Sequence, residues 1–120
     1  MRPDKKVFSI TRSGKAALRA WVAEPAERAV PRDELVLKAY CLWLASPQAA
    51  VALFQEHERQ HTERLNTYLE NRSWLADQWD TDDRRLDSQW FGSLAAIERG
   101  ILAEQSYIEW CRWVIRQFSQ

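Results

Sequence analysis

Between Ser46 and Trp79 bulky residues recur in alternating steps of three and four: Ala50, Phe54, His57, His61, Leu65, Tyr68, Arg72, Leu75 and Trp79. That is the period of a helix showing one seam to a partner helix. Ser46 followed by Pro47 gives it a start, with a capping hydroxyl and then a residue whose missing N–H costs nothing at the first helical position. Charged residues such as Glu56, Arg59, Glu63 and Arg64 fall off the seam. About thirty residues at about 1.5 Å each span about 45 Å, so a second long helix must lie alongside. The chain supplies it from about Ser88 to Phe118, after an acidic turn at Asp77 to Asp87. Leu94, Ile97, Ile101, Ile108, Cys111, Ile115 and Phe118 form one stripe, and Phe91, Ala95, Leu102, Trp110 and Trp113 widen it into a second. An antiparallel helical hairpin with so much apolar face is expected to pair with a second copy as a coiled-coil-like homodimer. The residues expected to carry assembly are Phe54, His57, His61, Leu65 and Tyr68, with Leu94, Ile97, Ile101, Ile108 and Ile115.

The fold class is therefore mainly α, preceded by a smaller N-terminal part. Val7, Phe8, Ser9 and Ile10 suggest a short strand over 5–10, which needs a neighbour that the chain does not show. Thr11 can cap a first helix that Pro25 stops. Residues 25–31, with two prolines, read as a linker. A second helix from Arg32 to Leu44 is apolar almost all round, so other helices should wrap it. Trp21 and Trp43 are expected in the core, and Cys41 and Cys111 as buried thiols. Trp110 and Trp113 diverge from the main stripe and could sandwich a flat aromatic effector.

Composition closes several routes. Lys plus Arg and Asp plus Glu are both 17 in 120 residues, so no global basic field points to nucleic acid or membrane. Three glycines, at 14, 92 and 100, leave no glycine-rich phosphate loop, and no cofactor is implied. The start lacks an apolar signal core, which suits a cytosolic protein. Charge is nevertheless uneven: Arg2, Lys5 and Lys6 form a basic head able to grip phosphates weakly. His57-Glu58-Arg59-Gln60-His61 fits H-E-x-x-H, a zinc-hydrolase pattern. Arg59 between the two histidines and the lack of a third histidine make seam positions the better reading, and no enzyme activity is expected.

These segments together resemble the PadR family of transcriptional regulators, specifically its C-terminal part, the virulence-activator alpha C-terminal domain. Phe8-Ser9-Ile10-Thr11 with Gly14, Leu18 and Trp21 is similar to the family's second wing strand and following helix. Glu24-Pro25 through Pro31-Arg32-Asp33-Glu34-Leu35-Val36-Leu37-Lys38 is similar to its linker and next helix. His57 to Leu65 matches its charged coiled-coil helix, and Arg99-Gly100-Ile101-Leu102-Ala103-Glu104 with Glu109-Trp110 its last helix. The resemblance implies residues 1–24 as the remnant of a winged helix, 25–31 as linker and 32–120 as a dimerisation and effector domain. It also implies operator DNA as partner, through an N-terminal winged helix-turn-helix upstream of residue 5, and a small aromatic effector. A second expectation is a stand-alone protein that heterodimerises with full-length regulators.

Overall fold

The computed structural model describes residues 9–29, 32–78 and 84–119, in two units, Met1–Asp33 and Glu34–Gln120. In the first unit, helix α1 runs over Arg12–Ala23. Thr11 caps it as expected, its Oγ1 accepting the Gly14 N–H at 3.0 Å. At the other end Glu24 turns extended, the conformation that a following proline favours. Ser9 and Ile10, the only described residues of the expected strand, are not in a strand, and none occurs among the described residues. A lone strand has no ladder to complete. The rest of that segment, like Arg2, Lys5 and Lys6, lies outside the described residues. No residue of α1 is buried, and Trp21 is 66% exposed rather than in a core.

In the second unit, α2 covers Glu34–Tyr40, shorter than the expected helix to Leu44. At Cys41 the backbone leaves helical geometry, and Leu42–Leu44 form a 3₁₀ turn. Two turns of helix offer one face to their neighbours: Leu35 is buried, with Ala39 and Leu42 beside it. Among the described residues, the helix expected from that apolar pattern is therefore not wrapped by others. Leu37, Tyr40, Trp43 and Leu44 are each at least two-thirds exposed, and Cys41 is an exposed thiol.

Helix α3 spans Pro47–Gln78 and α4 spans Gln89–Phe118. Both start where their hydroxyls allow: Ser46 Oγ accepts the Ala49 N–H at 3.1 Å, and Ser88 Oγ accepts the Phe91 N–H at 3.3 Å. Arg84 ties the connection down, donating to the Ala76 carbonyl at 2.6 Å near the end of α3, with its guanidinium 5.5 Å from the centre of the Trp90 ring. The two helices are antiparallel. Contacts between them run from Phe54 with Trp110, through His61 with Glu104, to Arg72 with Glu98, the second number falling as the first rises. Leu35, Phe54, Cys111 and Val114 form the main core, with Leu53, Tyr107, Trp110 and Ile115 packed on it. Ala50, Leu75, Ile101 and Ile108 extend burial along the hairpin.

Candidate functional site on the helical hairpin

The seam of α3 faces α4 of the same chain. Phe54 and His61 are buried there, as are Ile101 and Ile108 from the other side, while His57, Leu65, Tyr68, Leu94, Ile97 and Ile115 are half-buried. All ten expected assembly residues thus lie on the two long helices, with the buried four consumed by the fold of one chain.

The seam has a polar centre. The His61 ring is 9% exposed, its Nδ1 meets the Glu104 carboxylate, and its face stacks on Tyr107 with centroids 3.8 Å apart. Tyr107 meets Trp110 edge to face at 5.4 Å, and Trp110 meets Phe54 in the same way at 5.2 Å. A continuous aromatic run therefore links the polar pair to the main core, in the geometry that ring quadrupoles favour. Two ion pairs flank it: Arg112 donates to Glu58 at 2.8 Å, and Arg72 to Glu98 at 2.7 Å. Both are partly solvated, so each contributes little stability while fixing which residues face each other. Farther along, Tyr68 lies flat against Gly100. A Cβ on Gly100 would fall 2.5 Å from the ring, so any larger residue there would force the Tyr68 ring to move.

Two of the H-E-x-x-H residues, Glu58 and His61, are committed to these contacts. Glu58, the base such a site would need, carries Arg112, and His61 Nδ1 is occupied by Glu104. Arg59 bridges Glu56 at 2.6 Å and Glu63 at 2.5 Å on the exposed face of α3. Its hydrogen bonds hold the Glu56 carboxyl down from 4.5 to about 2. Among the described residues, no three of His, Cys, Asp and Glu are grouped to hold a metal ion.

Trp110 and Trp113 part company. Trp110 is half-buried in the aromatic run, whereas Trp113 is 53% exposed. Leu102 at 60% and Phe91 at 37% share the outer side of α4 with Trp113, where the second stripe of the sequence placed them. Glu98 and Tyr107 are not singled out by the sequence, and Gly100 and Glu104 appear there within the last-helix segment with no role of their own. The signal for Glu104 was present: it fills the one gap in the inner stripe, between Ile101 and Ile108. No helix among the described residues is long and apolar enough to cross a membrane.

Comparison with known proteins agrees with this architecture. Residues 31–119 match the model of the virulence activator alpha C-terminal domain. The chain is 32% identical to the probable transcriptional regulator Rv1176c of Mycobacterium tuberculosis, over 91% of this chain and 61% of that protein. It is 25% identical to the negative transcriptional regulator PadR of Bacillus subtilis, over 93% of this chain and again 61% of the relative. The chain thus spans about three-fifths of the length of each of these relatives. No solved structure matches it. The hairpin, the linker prolines and the matched span lead to one assignment: the chain belongs to the virulence activator alpha C-terminal family, the PadR-type C-terminal domain.

Proposed function

We propose that this chain is the dimerisation and effector-responsive part of a PadR-type transcriptional regulator and works by helix packing rather than catalysis. The observation that carries this reading is the second stripe of α4, where Phe91, Leu102 and Trp113 stay in solvent although α3 already covers the inner stripe. Exposed aromatic and aliphatic side chains along a 30-residue helix are a surface for a second copy. The seam residues, Phe54, His57, His61, Leu65 and Tyr68 with Leu94, Ile97, Ile101, Ile108 and Ile115, hold the hairpin on which that dimer is built. Operator DNA is contacted by an N-terminal winged head, with Arg2, Lys5 and Lys6 supplying sequence-independent phosphate contacts. A dimer then sets the spacing of two heads, and an effector acts by favouring one dimer geometry.

Leu102→Glu tests the interface. It should leave the helical content intact and convert the dimer to monomer in sedimentation equilibrium, because a charge would be buried unpaired in the contact. A variant that stays dimeric, or a wild-type protein that is monomeric at tens of micromolar, removes this reading. A flat aromatic effector would stack on Trp113, the exposed ring beside that interface. Quenching of tryptophan emission by a planar dye should fall in Trp113→Leu, and unchanged quenching would place the site elsewhere.

A further inference from the structure

The exposed apolar residues of α4 are spaced symmetrically. Phe91 and Trp113 stand eleven residues before and after Leu102. Eleven residues are about three helical turns, so the three side chains stay within about 40° of one another around the helix, each ring about 16 Å from Leu102 along its axis. All three keep much of their surface in solvent, 37% for Phe91, 60% for Leu102 and 53% for Trp113. A stripe that runs aromatic, aliphatic, aromatic at equal intervals is self-complementary under a two-fold rotation about an axis perpendicular to the helix. That is the symmetry of a contact in which both copies use the same surface.

Charge chooses between the two ways a second copy can lie on this stripe. In a parallel pair every residue stands level with its own copy, so Glu98, Arg99 and Glu109 would each come level with a like charge. Like charges brought together across an interface are repulsive. In an antiparallel pair centred on Leu102, Glu109 comes level with Ala95 of the second copy, since both stand seven residues from the centre. Both residues are exposed, and the small alanine leaves the carboxylate room to reach water. By the same count Glu98 comes level with Ser106 and Arg99 with Gln105, and Glu98 already carries Arg72 from its own chain.

We infer that two copies of this chain pair through α4 in antiparallel register, with Leu102 of each at the two-fold axis and Phe91 of each against Trp113 of the other. The inference rests on the dimer reading above and supplies its register. Leu102 meets its own copy at the centre, and two Phe91–Trp113 contacts close the ends, about 33 Å apart. Such aromatic pairs add to what burial alone contributes. Helix α3 of each copy packs on the inner stripe, so this contact leaves the seam of the hairpin untouched.

Disulfide trapping reads the register, in a Cys41→Ser background that removes the exposed thiol and keeps the buried Cys111. Leu102→Cys should cross-link to its own copy on mild oxidation, because a residue at the axis comes within disulfide reach of itself. Phe91→Cys and Trp113→Cys should each stay uncross-linked alone, with about 33 Å between identical positions, and should cross-link to each other when the two variants are refolded together. A nitroxide on Arg116→Cys, exposed and three residues beyond Trp113, should lie about 40 Å from its copy by electron double resonance. A separation under about 20 Å, as parallel helices about 10 Å apart would give, overturns the inference. So does self-cross-linking of Phe91→Cys, or a Leu102→Cys protein that sediments as a dimer and does not cross-link. In those cases the dimer reading stands and the register falls. A wild type that sediments as a monomer removes both.

Discussion

Two stripes of α4 are built from the same kinds of residue and meet opposite fates. Ile101, Ile108, Cys111 and Val114 are at most 6% exposed, while Leu102 and Trp113, one or two positions away, are more than half exposed. Composition does not separate them; position around the helix does. The inner stripe faces α3, while Leu102 and Trp113 on the outer stripe stay exposed among the described residues. Burial of apolar area is the main stabilising term in folding, so the inner stripe maintains the hairpin and the outer stripe is left to drive association.

The comparison breaks most easily at Ile101. Ile101→Asp puts an unpaired charge into the seam and should cost about 3 to 5 kcal/mol, enough to unfold much of the hairpin. Leu102→Glu, next door, should leave the melting temperature of the monomer nearly unchanged. Similar losses of helix signal in the two variants would show that the stripes are not distinct.

A smaller effect sharpens the picture of the seam's polar centre. His61→Leu alone leaves the Glu104 carboxylate largely buried without its partner and should cost about 1 to 3 kcal/mol. His61→Leu with Glu104→Leu should recover most of that, because two apolar residues replace a matched polar pair. Denaturant midpoints of the two single variants and the double variant read the coupling directly. If the double variant is as unstable as the sum of the singles, the pair is not coupled.

The smallest effect is on the exposed face. The hydrogen bonds from Arg59 depress the Glu56 carboxyl to about 2, so its contribution is present above its ordinary value of 4.5 and lost as pH falls towards 2. Glu56→Gln should remove that part of the acid dependence and change stability at pH 7 less than either change above. A carboxyl resonance titrating near 4.5 in the wild type would contradict the bridge.

Several elements were legible in the residues alone because their causes are local. Thr11, Ser46 and Ser88 each accept a backbone N–H from three positions on, and the helices begin where those hydroxyls stand. The seam period fixed which side of α3 turns inward, and His61 on that side is buried. The gap at Glu104 was equally visible, yet its meaning was not, since a lone carboxylate on a seam is interpretable only once the opposing histidine is known. Trp43 shows the reverse case. Its apolar surroundings suggested a core, but a core needs neighbours on every side, and a two-turn helix against a hairpin supplies them only around Leu35.

The sequence by itself determined α1, α3 and α4, the hydroxyls at which they begin and the two apolar stripes, because capping and periodicity depend on residues within one or two turns. Only the tertiary structure decided which stripe is used up inside the chain, that Glu104 completes His61, and that Gly100 makes room for Tyr68. Those outcomes depend on the register of α3 against α4, on pairs 32 to 54 residues apart in the chain, where local periodicity carries no information.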